Sequence, residues 1–399
     1  MKKTIKLAII GYGQRGKGLL TGILTTMAEM DIEIVGVCDF YEDRAKAAAE
    51  YVQDKLRTTP VCTTDYRELL QRKEIDAILI FSAWESHIQI AIDAMNAGKY
   101  VGMEVGGAYS LEDCWNLVRT YEKTGVPCML LENCCYGRRE MMALRMAEEG
   151  LFGEIVHCSG GYCHDLREEI VNGESLRHYR LRNYQKRNCE NYPTHELGPI
   201  AKILKINHGN RFLSLASFAS CAKGLNEYAA RVKGADSPLA RIPFAQGDIV
   251  TTVIRCAGGQ SITLTLDTAL PRPYSRAFTV RGTKGMYAED TDSVFLDGVH
   301  NADDFHWKKQ WGNAVKYEEQ YDHPLWQEYK KNICGGHDGI DWLVFRAFID
   351  SVKAGTEVPI DVYDAAAWMC ISTLSENSIA LGGIPVSVPD FTSGRWICS

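Results

Sequence analysis

Short apolar runs alternate with amphipathic stretches along the first third of the chain. The runs hold four to eight apolar residues, which is typical of buried strands, and the stretches between them repeat at helical spacing. Strands that alternate with helices predict a parallel, doubly wound α/β sheet. The predicted strands lie in KLAII, IEIVGVCD, EIDAILIFSA, YVGMEV and PCMLLEN.

The pattern changes from about Gly153 onward, where apolar and polar residues alternate with a period of two. Two such runs flank Gly258-Gly259, and another pair flanks GTKG, which predicts two hairpins. We therefore expect an α+β domain with a large open antiparallel sheet that has helices on one face. Amphipathic patterns near the C-terminus predict helices that return to the first domain.

The predicted division is a Rossmann domain over 1–135 and an α+β domain over 136–399. The segment 168–190 is charged and aromatic without a clear period. We expect it to form a long loop over the functional site, since long loops in compact domains are often functional.

Composition narrows the class of protein. The chain has 399 residues, 46% of them apolar and 24% charged, with a net charge of −7. That balance argues against a general nucleic-acid binder.

Fourteen cysteines are scattered without a zinc-type spacing, so we expect reduced thiols and no metal. No signal peptide or membrane span is predicted, and the expected location is the cytoplasm.

A glycine fingerprint follows the first predicted strand and opens the first helix. Gly11, Gly13 and Gly16 match G-x-G-x-x-G, and Asp39 ends the second strand 23 residues beyond Gly16. The glycines permit a tight turn, close approach of a pyrophosphate and close helix–strand packing, while the carboxylate meets ribose hydroxyls. Asp39 would repel a 2′-phosphate, which favours NAD over NADP, although Arg44 is basic.

Polar residues follow several of the predicted strands, at the edge where ligands bind in such sheets. Glu132 and Tyr136 lie there beside the cofactor candidates. The expected cofactor-binding residues are Gly11, Tyr12, Gly13, Gln14, Arg15, Gly16, Asp39, Arg44, Ser82, Trp84, His87, Glu104 and Asn133.

The motifs GYGQRG, VCD, AGKYVGMEV and GTKG resemble the Gfo/Idh/MocA oxidoreductases. In that family the fourth strand typically ends Glu-Lys-Pro, and the lysine handles the proton in its sugar dehydrogenases. Here the strand ends Glu104-Val105-Gly106-Gly107, without the lysine.

Longer stretches are similar to glycoside hydrolase family 109, and the similarity covers nearly the whole chain. They are ENCCYGRREM, GYCHDLRE, YPTHELGPIAKILKINHGNRF, LPRPYSR, RGTKG, GGHDGIDWLVFR and DVYDAAAWMCISTLSE. The resemblance implies tightly held NAD and cleavage of glycosides, with α-N-acetylgalactosaminides the best-known substrates. Two positions depart from the family: it usually has Glu-Val-Pro in place of EVGG, and glycine in place of Glu196.

The resemblance also implies a redox cycle without net oxidation: hydride removal at carbon 3, loss of the carbon-2 proton, departure of the aglycone, water addition and hydride return. His195, Tyr192 and Tyr136 are the implied proton-handling residues, and which of them is the base stays open. The implied or candidate sugar contacts are Tyr274, Glu196, His164, Arg167 and Glu132. The His164–Arg167 stretch could equally form a structural network.

Two other classes of function remain open on the sequence. An NAD-dependent sugar or polyol dehydrogenase shares the fold and cofactor but would accumulate NADH. A non-catalytic NAD-binding regulator would bind NAD without turnover. We expect a small-molecule substrate, no nucleic-acid or membrane partner, and a homodimer or homotetramer formed through the open sheet.

Overall fold

The protein is described by a computed structural model that covers residues 4–22, 24, 30–301, 303, 306–334 and 337–397. The chain divides into two compact units. The first comprises the residues up to Tyr136 together with Asn332–Ala366, and the second comprises Gly137–Lys331 and the residues from Ala367 onward.

The strands are numbered in chain order. They are β1 Ile5–Ile10, β2 Ile32–Cys38, β3 Val61–Thr63, β4 Ala77–Ile80, β5 Tyr100–Met103, β6 Cys128–Leu130, β7 Ile155–Cys163, β8 Phe212–Ala219, β9 Ile249–Cys256, β10 Ser261–Asp267, β11 Thr279–Gly282, β12 Gly285–Ala288, β13 Ser293–Leu296 and β14 Val386–Ser387.

The α-helices are numbered in the same way. They are α1 Gln14–Gly22, α2 Glu42–Leu56, α3 Tyr66–Leu70, α4 Trp84–Asn96, α5 Leu111–Thr124, α6 Arg138–Glu148, α7 Arg167–Val171, α8 Arg180–Lys186, α9 Thr194–Ile203, α10 Gly224–Lys233, α11 Pro238–Arg241, α12 Glu318–Tyr321, α13 Pro324–Tyr329, α14 Ile340–Ala354 and α15 Val362–Ala380. No helix among the described residues is both long and apolar enough to cross a membrane.

The first unit is built on six parallel strands in the order β3-β2-β1-β4-β5-β6. Its central strands are buried almost throughout, as expected when helices cover both faces of a sheet. The helix boundaries follow local signals in the sequence. Ser110 caps α5 by accepting the Asp113 N–H at 3.0 Å, and Gly125 ends the helix with a φ of 64°. The predicted doubly wound sheet is confirmed.

The second unit contains an eight-stranded sheet in the order β13-β12-β11-β7-β10-β9-β8-β14. All neighbouring strands pair antiparallel except β7 and β10, which run parallel. Both predicted hairpins form, β9–β10 and β11–β12. The fold class is therefore confirmed, and the sheet is mixed because β7 pairs parallel with β10 on one side and antiparallel with β11 on the other.

The expectation of a long loop over 168–190 is wrong. The segment forms most of α7 and the whole of α8. Ile170, Val171, Leu181 and Tyr184 are buried, so two short amphipathic turns gain enough apolar contact to become helical. Residues 335 and 336, the glycines that open the predicted GGHDGIDWLVFR helix, lie outside the described residues.

Candidate active site

The turn between β1 and α1 has the close packing that a dinucleotide-binding turn needs. Gly11 has a φ of +103°, and a Cβ there would lie 2.5 Å from the Phe81 carbonyl group. A Cβ on Gly16 would lie 2.2 Å from the Gly11 carbonyl oxygen. Only glycine fits at either position, which leaves the backbone amides at the start of α1 open to a phosphate. Gln14 is exposed at that helix start.

Asp39 is held at the end of β2 by two backbone groups. Its carboxylate accepts the Tyr12 N–H at 2.7 Å and the Tyr41 N–H at 2.8 Å. Each oxygen retains further acceptor capacity, which suits a pair of ribose hydroxyls. The Arg44 guanidinium lies over the Tyr41 ring, 5.0 Å from its centroid. Arg44 is therefore held beside the segment that follows Asp39.

The segment after β4 orders the next part of this edge. The Ser82 hydroxyl lies 2.7 Å from that of Ser86, and His87 Nε2 bonds the Ser82 carbonyl oxygen at 2.9 Å. Burial lowers the pKa of His87 to about 4, so its ring is neutral near neutral pH. Trp84 packs on the backbone of Gly106, where a Cβ would lie 2.6 Å from the indole. A larger residue at 106 would displace that indole.

The end of β5 carries a carboxylate and no lysine. Glu104 accepts from Arg15 Nε at 3.1 Å and from the Val105 N–H at 3.1 Å. Val105 follows Glu104 at the position where the resemblance to the oxidoreductases implies a lysine, and its side chain is buried. Strand β5 therefore supplies no amine for proton transfer.

The segment after β6 contributes an amide, a carboxyl and a phenol. Asn133 Nδ2 donates to Asp341 Oδ1 at 2.6 Å, and Glu132 accepts the Cys134 N–H at 3.0 Å. Burial raises the pKa of Tyr136 above its usual value, so the phenol is protonated in this environment. Asp341 was not among the site residues expected from sequence.

Three rings form the centre of a cluster in the second unit. Tyr162 on β7 lies 4.4 Å from Tyr192 and 5.4 Å from His195, measured between ring centroids. Tyr192 and His195 are themselves 4.8 Å apart. The YPTH stretch thus places its phenol and imidazole together, whereas Tyr162 was not anticipated from the sequence.

Two further rings extend this aromatic cluster. His164 lies 3.2 Å from the Tyr162 hydroxyl through Nδ1, and its ring is 5.1 Å from that of Tyr274. Burial, followed by the Arg180 charge, lowers the pKa of His164, which favours the neutral imidazole. Tyr274 is 52% exposed. The aromatic cluster consists of Tyr162, His164, Tyr192, His195 and Tyr274.

Arg167 stands at the edge of this group in contacts of its own. It pairs with Asp165 through Nε at 2.8 Å and Nη2 at 2.6 Å, and it lies 5.0 Å from the Tyr228 centroid. The guanidinium is thereby fixed by neighbours within the second unit.

Arg180 brings a cation to the aromatic cluster, another feature that the sequence did not single out. Its guanidinium lies 5.5 Å from the Tyr192 centroid and pairs with Glu169. Burial alone would lower the pKa of Arg180, but the nearby Tyr179 and Glu169 raise this pKa above its usual range. The two helices that replaced the expected loop hold this ion pair, since Glu169 is on α7 and Arg180 begins α8.

Glu196 faces the sheet. It is 1% exposed on α9, and a Cβ on Gly160 of β7 would lie 2.6 Å from Glu196 Cβ. The absence of a side chain at 160 therefore leaves room for a side chain at 196.

The comparisons with known proteins match the two parts of the chain to separate family models. A model of the oxidoreductase family with an NAD-binding Rossmann fold matches residues 5–131. The model of the C-terminal domain of glycosyl hydrolase 109 matches residues 136–398, more than half of the chain. The chain belongs to glycosyl hydrolase family 109.

Family 109 relatives match over nearly the full length. A glycosyl hydrolase family 109 protein from Stenotrophomonas maltophilia is 39% identical over 99% of this chain and 90% of its own. An alpha-N-acetylgalactosaminidase from Tannerella forsythia is also 39% identical, over 98% of this chain and 87% of its own.

Solved structures confirm the fold of this family 109 member. An NAD-binding oxidoreductase from Klebsiella pneumoniae has a TM-score of 0.70 at 15% identity, covering 96% of this chain and 99% of its own. Levoglucosan dehydrogenase in complex with NADH and levoglucosan also scores 0.70, at 19% identity and 97% and 100% coverage. NAD is the cofactor, and the glycine turn with Asp39 fits it.

Proposed function

We propose that the chain is an NAD-dependent glycosidase that cleaves N-acetylgalactosaminides or a related sugar. The observation that carries the proposal is the pairing of Tyr192 with His195 inside the aromatic cluster of the second unit. Membership of family 109 and the name of the Tannerella forsythia relative support the choice of substrate.

When bound, NAD takes a hydride from carbon 3 of the sugar and later returns it. The protein's own task is proton transfer, at the carbon-3 hydroxyl and at carbon 2. Tyr192 and His195 supply these two transfers, and Tyr136 of the first unit is the third candidate. Imidazole suits this work because its ordinary pKa lies near neutrality.

The cation of Arg180 supports a proton-accepting phenol. A positive charge near a tyrosine favours the phenolate, and Arg180 lies over the Tyr192 ring. The neutral imidazole of His164 and the exposed ring of Tyr274 offer a hydrogen-bonding and a stacking surface to a sugar. We propose both as sugar contacts, together with Arg167, Glu196 and Glu132.

The absent lysine favours a glycosidase over a dehydrogenase. In sugar dehydrogenases of this fold, the amine after the glutamate of the fourth predicted strand, which is β5, handles the proton of the oxidised hydroxyl. Here the position holds buried Val105. The candidates for proton transfer are therefore the phenols of Tyr192 and Tyr136 and the imidazole of His195.

The test is an anaerobic incubation of the NAD-loaded protein with a panel of nitrophenyl glycosides, including the α-N-acetylgalactosaminide. The proposal expects nitrophenol release over many turnovers without lasting NADH absorbance. NADH that accumulates in proportion to substrate would instead identify a dehydrogenase. No nitrophenol from any glycoside, with NAD bound, would reject the glycosidase.

We further propose that a second copy of the chain covers the open face of the eight-stranded sheet. A row of small or hydroxyl-bearing residues with one valine crosses this face: Ala216, Val253, Thr263, Ser159 and Thr279. Val253 is 44% exposed. Light scattering of the wild type and of Val253→Asp tests this, and a monomeric wild type would reject it.

We also propose a reducing compartment, the cytoplasm. The thirteen cysteines within the described residues are all free thiols. Thiol titration of protein purified from its native source without reductant would check this, and recovery of disulfides would contradict it.

A further inference from the structure

Asp341, the second residue of α14, accepts hydrogen bonds from several polar groups in the first unit. Its side chain is 2% exposed. Oδ1 accepts from Arg15 Nη2 at 2.8 Å and from Asn133 Nδ2 at 2.6 Å. Oδ2 accepts from Arg15 Nη1 at 2.9 Å and from His337 Nδ1 at 2.7 Å. One carboxylate thus joins three separate segments of the chain.

The charges around Asp341 keep it ionised. Burial alone would raise its pKa, but hydrogen bonds from His337 and Arg15 hold the pKa of Asp341 well below its usual range. Its place in the first turn of α14 adds the favourable end of the helix dipole. The carboxylate is therefore a fixed negative charge.

The groups that Asp341 holds belong to both ends of the expected dinucleotide site. Arg15 lies in the glycine turn, and its Nε continues to Glu104 at the end of β5. Asn133 follows β6. A guanidinium has a planar set of donors, so bonding Asp341 on one edge and Glu104 on another fixes its orientation.

The backbone before α14 has an unusual conformation, and the hydrogen bond between His337 and Asp341 helps to hold it. His337, Asp338 and Gly339 have consecutive φ values of 51°, 53° and 91°. Left-handed conformations in non-glycine residues are unfavourable and persist where surrounding contacts impose them. The His337–Asp341 hydrogen bond is such a contact, and it ties this segment to the first turn of α14.

We propose that Asp341 is a positioning residue for the cofactor: it orients Arg15 and Asn133 and thereby makes NAD dissociate slowly. Asp341 acts through these two residues. Slow dissociation matters because a redox-neutral reaction must keep its reduced cofactor until the hydride returns, and in this respect the inference rests on the proposed function. The binding claim itself depends only on the cofactor.

The test measures NAD dissociation without any sugar. Wild type and Asp341→Asn are prepared as apoprotein, loaded with NADH, and chased with excess ADP-ribose while cofactor fluorescence is followed. Asparagine keeps the size of the side chain but removes its charge. Its amide group also replaces one carboxylate oxygen, which accepts two hydrogen bonds, with a group that can only donate. We expect dissociation at least about tenfold faster, as when one partner of a buried charged contact is removed.

The matched control is Asp350→Asn on the same helix. Asp350 is 58% exposed and pairs with Arg346 at 3.6 Å, so its replacement should leave dissociation unchanged. The melting temperature of each apoprotein separates positioning from folding. A purely structural role would lower the melting temperature of Asp341→Asn and leave the dissociation rate of the folded protein within twofold of wild type, which would overturn the proposal.

Arg15→Lys keeps the proposal testable if Asp341→Asn does not fold. A lysine retains the charge but cannot contact Asp341 and Glu104 in the same fork-like manner. We expect NADH to leave about tenfold faster here as well, and wild-type retention would overturn the proposal. A protein that passes these tests yet releases no aglycone would refute the glycosidase assignment and leave the role of Asp341 intact.

Discussion

The rings of Tyr192 and His195 meet edge to face, with centroids 4.8 Å apart and planes at 79°. Pro193 lies between them in sequence, with a φ of −76°, and Thr194 begins α9. The proline restricts the backbone just before the helix. Both side chains are therefore presented from a constrained helix entry, which limits the geometries that the pair can adopt.

Replacing His195 tests its role in proton transfer. His195→Ala should remain folded and retain NAD, but kcat should fall by about 10²–10⁴-fold, the usual contribution of a general acid or base. Nitrophenol release measures the loss. His208→Ala, at an exposed histidine, is the control and should keep wild-type activity. Turnover of His195→Ala within a few-fold of wild type would place the proton chemistry elsewhere.

Two glycines of α1 give a matched pair for the cofactor turn. Gly16→Ala should weaken NAD binding about a hundredfold, or roughly 2.8 kcal/mol, because its Cβ would lie 2.2 Å from the Gly11 oxygen. A Cβ on Gly18 would meet no atom within 4 Å, so Gly18→Ala should bind NAD normally. Calorimetric titration of both apoproteins with NAD measures the two affinities. Equal affinities of Gly16→Ala and Gly18→Ala would contradict the assignment of this turn to the cofactor.

The contact between Gly160 and Glu196 predicts a specific coupling. Gly160→Ala should destabilise the wild type by about 1–3 kcal/mol, because its Cβ would lie 2.6 Å from Glu196 Cβ. In a Glu196→Gly background most of that loss should disappear. Urea unfolding measures both.

Gly161→Ala is the control for this cycle. Its Cβ would lie 2.4 Å from the Thr265 carbonyl oxygen, which Glu196→Gly leaves in place. The penalty of Gly161→Ala should therefore persist in both backgrounds. Additive effects of Gly160→Ala and Glu196→Gly would show that the two residues do not oppose each other.

Glu190 predicts a pH dependence of stability. It is fully buried, and burial raises its pKa to about 8, against a smaller effect of the Tyr192 N–H. Between its ordinary value and pH 8 the folded state holds a proton that the unfolded state has released. Stability from this group is therefore present at low pH and lost as pH rises towards and through 8.

Glu190→Gln should remove that loss. The variant should gain roughly 3–5 kcal/mol over the wild type at pH 8 and little at pH 4.5, from the size of the shift. Urea unfolding at several pH values measures this, with Glu227→Gln at an exposed position as the control. An equal difference between wild type and Glu190→Gln at all pH values would contradict it.

Local patterns were enough to predict the fold and the glycine turn. Buried strands and G-x-G-x-x-G are short-range signals, and Gly11 and Gly16 have the packing that the motif requires. The three-residue strand β3 was missed because it is too short to show a period. The segment 168–190 was misjudged because its few apolar residues are spread over two short helices.

The candidate site could be predicted only where its residues share a motif. Tyr192 and His195 are three positions apart, so their proximity could be expected. Tyr162 and Arg180 come from β7 and α8, and only tertiary packing brings them to Tyr192. Asp341 lies 326 positions from Arg15, and such pairing leaves no trace in a single sequence.

The most direct test of the redox-neutral glycosidase is the fate of the carbon-2 proton. The NAD-loaded protein is incubated in deuterium oxide with nitrophenyl α-N-acetylgalactosaminide, and the released sugar is examined by mass spectrometry and proton NMR. The account predicts one solvent deuteron at carbon 2 per turnover, together with an unchanged amount of NAD. Released sugar without deuterium at carbon 2, or NADH formed in proportion to substrate, would contradict it.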